Sequence, residues 1–372
     1  MPRVIPRRAT RVSTLELLLD LVFVVTVAQL ARSIAEDPGV QSAGRAALVV
    51  VVVWWLYDAF AWLTNESAPE TPLTRVLLVA AMAGFLVLSL AIPDALAGSS
   101  AVFGVAYVVV AVIHGGMFVA LGGASSAALM WRVMPINIAI GASFVAIGAT
   151  DGTVRLAFEL LPVALVVVAM GISRRTAFDL SPEHFVERHG LLMIIALGES
   201  IVSVAAGAPE RGVAGPTIVG AVLVVGLVAA LWWCYFGDDP ERARAAFGHV
   251  TPAQRTAAAL RAFYLDHLVM LFGLVLLGAG LHLALEDPFA APGTTSGLLV
   301  GAGTALFLVG GADYRRYLGL GTWWVRPLAA LACVGFGASA GSVTTVALLL
   351  GTGVIVVAAI GLELRVDRVR SA

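Results

Sequence analysis

Apolar windows of about 20 residues recur along this chain from Leu15 to Leu364, with no long polar interval between them. A helix crossing the ~30 Å hydrocarbon layer of a bilayer needs about 20 mostly apolar residues. The windows lie at roughly 15–35, 43–63, 74–92, 101–121, 131–149, 154–172, 188–206, 214–236, 262–283, 296–312, 323–340 and 343–363. Of the 372 residues 60% are hydrophobic and 13% charged, whereas a soluble domain carries about 25% charged residues. The pattern predicts an all-α polytopic membrane protein of about twelve transmembrane helices with no soluble domain.

Arginine placement orients the spans. Lysine is absent, and arginines concentrate in cytoplasmic loops during insertion. With both termini cytoplasmic, only Arg32, Arg45, Arg155 and Arg211 of the 23 arginines fall on the outer side. The basic start, MPRVIPRRATR, has no small-residue cleavage site after it, so it is expected to be a retained cytoplasmic tail facing anionic lipid headgroups. Cys234 and Cys333 both sit inside apolar windows and are expected to be buried, inert thiols.

Short motifs recur in the same order in the two halves. Glu16 opens the first span and Glu187 the seventh; WWLYD (Trp54 to Asp58) ends the second, and WWCYFGD (Trp232 to Asp238) the eighth. WRVMP and VVVAMG in the first half answer to WWVRP and IVVAAIG in the second. This order predicts two parallel six-helix repeats, 1–180 and 181–372, related by a pseudo-two-fold axis along the membrane normal.

Ionisable residues inside a bilayer cost about 2.5–3.5 kcal/mol at its centre and are therefore functional candidates. Glu199, in ERHGLLMIIALGESIVS, lies about 18 Å along its helix from Glu187, at ~1.5 Å per residue, with Ser203 on the same face and Ser200 beside it. Glu16 and Asp20 are four residues apart and share a helix face, an arrangement that favours a shared proton or a bridging cation or arginine. Asp58, Asp266 and His267 are expected at similar cytoplasmic depth, and His114 deeper. Each has a plainer reading as an anchor or packing residue. HFVERH (His184 to His189) lacks the one-face spacing of a metal-binding helix, and no nucleotide-binding loop or nucleophile elbow occurs. No metal, cofactor, catalytic residue or nucleic-acid partner is expected; the expected partners are membrane lipids and a small-molecule or ion substrate.

The segments TLELLLDLVFVVTVAQLA, WWLYDAFAWLTN, LVLSLAIPDAL, ERHGLLMIIALGESIV and YLDHLVMLFG, in that order, resemble the bacterial low temperature requirement protein A family. The shared positions include Glu16, Asp20, Glu187, Glu199 and His267. The resemblance implies a multi-pass protein of the bacterial inner membrane, linked by name to growth in the cold, and carries no substrate. LLLDLVF also resembles the short Ser-Asp motif of a bacterial and lysosomal potassium channel family, without the serine.

Buried acids in pseudo-symmetric halves point to a proton- or cation-coupled secondary transporter rather than an enzyme. Glu199 is the expected coupling carboxylate; Glu16, Asp20 and Asp58 the cytoplasmic mouth; and His114, Glu187, Asp266 and His267 relay or gating groups. The alternatives are an intramembrane metal-dependent enzyme acting on a lipid or isoprenoid, and a non-catalytic membrane factor for growth in the cold.

Overall fold

Hydrocarbon offers no water to unpaired backbone groups, so a chain this apolar must satisfy its amides within helices. The computed structural model, which describes residues 11–98, 100–176, 178, 180–206, 215–237, 239–285 and 287–371, is helical, with no strand among the described residues. Arg3, Arg7, Arg8, Arg211 and Asp238 lie outside them, and so does the side chain of Ser203.

The helices are α1 (Thr14–Glu36), α2 (Val40–Glu66), α3 (Pro72–Leu90), α4 (Ile92–Ala97), α5 (Ala101–Leu121), α6 (Ala124–Ile147), α7 (Gly152–Ser173) and α8 (Pro182–Ala206). They continue with α9 (Gly215–Phe236), α10 (Asp239–His249), α11 (Pro252–Ala258), a π-helical turn (Ala259–Leu265), α12 (Asp266–Ala284), α13 (Thr294–Leu318), α14 (Val325–Ala338) and α15 (Thr345–Ser371). Among the described residues ten helices are long and apolar enough to cross a membrane. The seventh and eleventh expected spans are also helical: α8 has 25 residues and α14, apolar but short, has 14.

Local sequence sets several of the ends. Ser13 and Glu16 form a capping box at the start of α1: the Ser13 amide and hydroxyl both donate to Glu16 Oε2 at 2.8 Å, and the Glu16 amide donates to Ser13 Oγ. Thr71 caps α3 by accepting from the Thr74 amide, with Pro72 in the first turn, where its missing N–H costs nothing. Gly319 ends α13 at φ 68°, a left-handed conformation that favours glycine.

The chain forms two compact units. One comprises Met1–Gln29, Gly44–Leu192 and Phe247–Tyr264, the other Leu30–Ala43, Met193–Ala246 and Leu265–Ala372. In the first, α2 is the most enclosed helix, and α3, α5, α6 and α7 pack as successive neighbours. α3 and α7 turn Leu73, Val76, Val79, Val154, Val167 and Val168 outward, an apolar exterior suited to lipid and not to water. In the second unit α12, α13, α14 and α15 pack as successive neighbours, and α15 also packs on α9.

Glycine sets the helix separation in the second unit. A Cβ on Gly303 of α13 would lie 2.6 Å from the Gly273 carbonyl oxygen and 2.8 Å from Leu277 Cα on α12. On the other side of α13, Gly301 packs against the Cys333 carbonyl of α14, with Gly297 four residues earlier. Small residues at four-residue spacing let backbones approach where no hydrophobic effect draws helices together. Gly303→Ala should therefore lower stability by about 1–3 kcal/mol through overpacking against backbone that cannot yield. Gly335→Ala, whose Cβ meets nothing within 4 Å, should be neutral or slightly stabilising. Thermal unfolding of the two variants in detergent checks the contrast.

Candidate functional site

In the first unit three of the acids singled out in the sequence, Glu16, Asp20 and Asp58, each meet a basic partner. Glu16 and Asp20 are one helical turn apart on α1; His184 and Arg188 are one turn apart on α8. Glu16 Oε1 lies 3.1 Å from His184 Nε2, and Asp20 binds Arg188 through both oxygens, at 2.7 and 2.9 Å. Both partners advance by four residues together, so α1 and α8 run parallel here and their charges form a two-rung ladder. Asp58 on α2 supplies a third pair, its Oδ1 3.1 Å from His189 Nε2. None of these six residues is more than 3% exposed.

Further bonds fix the roles of individual atoms. The Tyr57 hydroxyl donates to Asp20, and the Arg188 guanidinium lies over the Tyr57 ring at 5.7 Å from its centroid. The Asn65 amide is oriented by the backbone of Ser181, donating to its carbonyl and accepting from its N–H. Asn65 Nδ2 therefore donates to His184 Nδ1 at 3.3 Å, which places the proton of a neutral His184 on Nε2, facing Glu16.

His189 is held the other way round. The carbonyl of Phe185 can only accept, so His189 Nδ1 donates to it at 2.8 Å. The contact between His189 Nε2 and Asp58 Oδ1 then needs a proton of its own, carried either as imidazolium facing carboxylate or as imidazole facing carboxylic acid. Both forms are neutral overall. The other oxygen of Asp58 accepts from Trp62 Nε1 at 2.9 Å.

Aromatic rings close this cluster off. Trp54 stacks on Tyr57 and donates to the carbonyl of Tyr264, and Phe263 packs its ring against His189 at 5.1 Å. Tyr264 and Phe263 belong to the π-helical turn, an irregularity that frequently marks functional segments. Beside Asp58, a small cavity of about 60 Å³ is lined by Trp55, Trp62, His114 and Asn137 among others. His114 Nε2 donates to the Ala59 carbonyl at 3.0 Å, which leaves its buried Nδ1 as an acceptor without a protein partner among the described residues.

The remaining expected residues lie elsewhere. Glu187 is half-buried and accepts from the Val12 amide at 3.4 Å. Glu199 is half-buried, and Ser200 beside it is buried. Both belong to the second unit, as do Asp266 and His267, which are buried; His267 Nε2 pairs with the Tyr235 hydroxyl at 2.8 Å. Sequence reasoning missed His184, Arg188 and His189 as partners. The signal was available: bases at 184 and 188 repeat the spacing of the acids at 16 and 20.

Among the described residues no three of His, Cys, Asp and Glu converge in an arrangement that could hold a metal ion. The paired tryptophans divide in use. Trp54 and Trp55 are buried, with Trp55 donating to Asn137, while Trp232, Trp233, Trp323 and Trp324 are exposed.

Arg188→Met should destabilise the protein by about 3–5 kcal/mol, because it strands the Asp20 carboxylate in an apolar interior. Adding Asp20→Asn should recover most of that loss, which a double-mutant cycle on unfolding in detergent would measure.

The family model described as bacterial low temperature requirement A protein (LtrA) matches residues 11–361. An uncharacterised protein of Rhizobium meliloti (strain 1021) is 27% identical over 324 residues, covering 82% of this chain and 78% of that protein. No solved structure matches. Every residue of the paired cluster falls inside the family match, and the chain is a multi-pass membrane protein that belongs to the bacterial low temperature requirement A family.

Proposed function

We propose that this protein is a proton-coupled secondary transporter of the bacterial inner membrane, and that the Asp58–His189 pair is its proton site. The observation that carries this reading is the single proton demanded between Asp58 Oδ1 and His189 Nε2 in a buried, ring-enclosed setting. Loss of that proton would leave two lone pairs facing each other at 3.1 Å and a net negative charge among aromatic rings. Attraction would become repulsion between α2 and α8. Protonation would thus be coupled to helix position, as a carrier requires.

The cavity beside Asp58 gives the proton somewhere to go. Its ~60 Å³ is space for a few water molecules, and His114 Nδ1 offers an acceptor within the same lining. In this reading Glu16, Asp20 and Arg188 form a fixed electrostatic frame, Asp58 and His189 carry the proton, and His114 relays it. Glu199, in its half-buried position, is assigned a gating role beside Glu187, Asp266 and His267.

The two-repeat, twelve-span arrangement with both termini cytoplasmic is part of this proposal. It draws support from the parallel run of α1 and α8, the first helices of the two halves, and from the matching neighbour order of α3, α5, α6, α7 and α12, α13, α14, α15.

Infrared difference spectroscopy on the purified protein, with pH as the perturbation, tests the proton site without a known substrate. The parent should show a pH-dependent signal from this pair: a change in an imidazole ring mode, accompanied by loss of a carboxyl band as pH rises where the proton rests on Asp58. Asp58→Asn should remove the signal. A parent spectrum with neither an imidazole nor a carboxyl change, or one unchanged by Asp58→Asn, overturns the assignment. In proteoliposomes under an imposed membrane potential, Asp58→Asn and His189→Gln should reduce proton uptake to the level of empty vesicles. If Glu199→Gln abolishes uptake and Asp58→Asn leaves it intact, the coupling carboxylate is Glu199.

A further inference from the structure

The cavity beside Asp58 has a ligand chemistry of its own, apart from any water it passes. Its described lining belongs entirely to the first unit, and α2, α5 and α6 supply most of it. Much of that lining is aromatic. Phe178 meets Trp62 edge to face at 5.1 Å and Phe118 at 6.1 Å, and Phe118 in turn lies 5.2 Å from the His114 ring. The four rings form one continuous wall, with Trp55 also in the lining.

Donors in this wall are spent, while acceptors remain. Both indoles give their N–H groups to neighbours, Trp55 to Asn137 Oδ1 at 3.0 Å and Trp62 to Asp58 Oδ2 at 2.9 Å. His114 uses Nε2 on the Ala59 carbonyl, so Nδ1, on a side chain 2% exposed, keeps a lone pair with no partner among the described residues. Asp58 has one partner at each oxygen, His189 and Trp62, whereas an ionised carboxylate offers about four acceptor positions. A ligand that completes this lining donates hydrogen bonds and tolerates contact with rings.

Charge and size narrow the choice. When the proton of the Asp58–His189 pair leaves, the pair gains one negative charge, and a monovalent cation entering the adjoining cavity replaces that charge one for one. Hard metal cations take shells of about six or more oxygens, and the side-chain oxygens of the described lining are those of Asp58, Asn137 and Ser173. An imidazole lone pair beside aromatic rings suits the N–H groups and the diffuse charge of an ammonium ion instead. At roughly 10–15 Å³ for each water-sized group, a cavity of about 60 Å³ admits an ion of very few heavy atoms.

We propose that this cavity binds a small ammonium cation, either the ammonium ion or a short primary alkylammonium. Its N–H groups are directed to Asp58 and His114 Nδ1 and its charge to the aromatic wall, and it enters as the pair's proton leaves to water. The exchange rests on the proton site proposed above; the binding does not. The ionisable groups acting on Asp58 in that exchange are His189 and Arg188 on α8, Tyr57 on its own helix and Tyr264 on the π-helical turn.

Binding of radiolabelled methylammonium to the full-length protein in phosphatidylcholine nanodiscs tests this, with ammonium, sodium and potassium chlorides as competitors. The parent should bind saturably, and ammonium should displace the label at concentrations where sodium and potassium do not. Below the infrared midpoint of the pair, affinity should fall about tenfold per pH unit, as competition with one proton requires. His114→Leu should weaken binding about tenfold, on the scale of one lost hydrogen bond to a charged donor. Ala59→Val, which adds bulk to the lining, should weaken methylammonium more than ammonium. Absence of saturable binding means that the cavity holds water only and overturns the proposal. Displacement by potassium as effective as by ammonium overturns the ligand class, and unchanged affinity in folded His114→Leu and Ala59→Val overturns the location. Should these variants fail to fold, the ion selectivity and pH slope of the parent decide. Affinity independent of pH overturns the exchange. The infrared titration, run without any amine, tests the proton pair alone, so its failure is distinct from a failure to bind methylammonium.

Discussion

A charge buried in an apolar interior must find its opposite, and this requirement organises the first unit. Breaking a buried pair costs far more than an exposed pair contributes. The charges on α1 can be buried only if a neighbouring helix presents bases at the same rise. α8 does so, with His184 and Arg188 set against Glu16 and Asp20 over one turn. The pairing fixes register as well as adjacency: sliding either helix by a turn would leave one acid and one base without partners. Glu16 meets two requirements at once, since one oxygen closes the capping box of α1 while the other faces His184. Helix start and helix pairing are therefore specified by the same side chain.

Much of the fold was legible in the sequence because hydrocarbon imposes a length on every span. Each of the twelve expected windows holds a helix, and ten of these meet the length and hydropathy needed to cross, α14 being too short. Glu16, Asp20 and Asp58 were legible for the same reason, since an acid in an apolar window stands out. Their partners were not. Arg188 looks like one more loop arginine at the edge of a span, and HFVERH invites comparison with a metal motif it does not match. What makes those residues partners is the pairing of α1 with α8, two helices about 170 positions apart in sequence, and local periodicity carries no such information. The buried arginines of the second unit were hidden by a different effect: the rule that places arginines in loops accounts for Arg315 and Arg326 so well that it gives no reason to bury them, yet both are buried in ion pairs with Asp239 and Glu363. The doubled tryptophans are alike in sequence and differ in setting: Trp54 and Trp55 pack inside, while the pairs at 232–233 and 323–324 face outward.

The two charged clusters differ in what their bases can do. In the first unit two of the three bases are histidines, whose ring nitrogens can both donate and accept a proton. In the second unit the paired bases are arginines, which remain charged throughout. An Arg–carboxylate pair is a fixed dipole that can position other groups but cannot carry a proton through a cycle. A His–carboxylate pair can, and the Asp58–His189 pair stays neutral whichever atom holds its proton. The chemistry available to each cluster follows: a shared proton where imidazole faces carboxylate, and fixed ion pairs where guanidinium does. The acid that a hydropathy profile makes most conspicuous, Glu199, lies half-buried outside both. Asp20 and Asp58, wholly enclosed, depend on Arg188 and His189, because a buried carboxylate that loses its base is strongly destabilised.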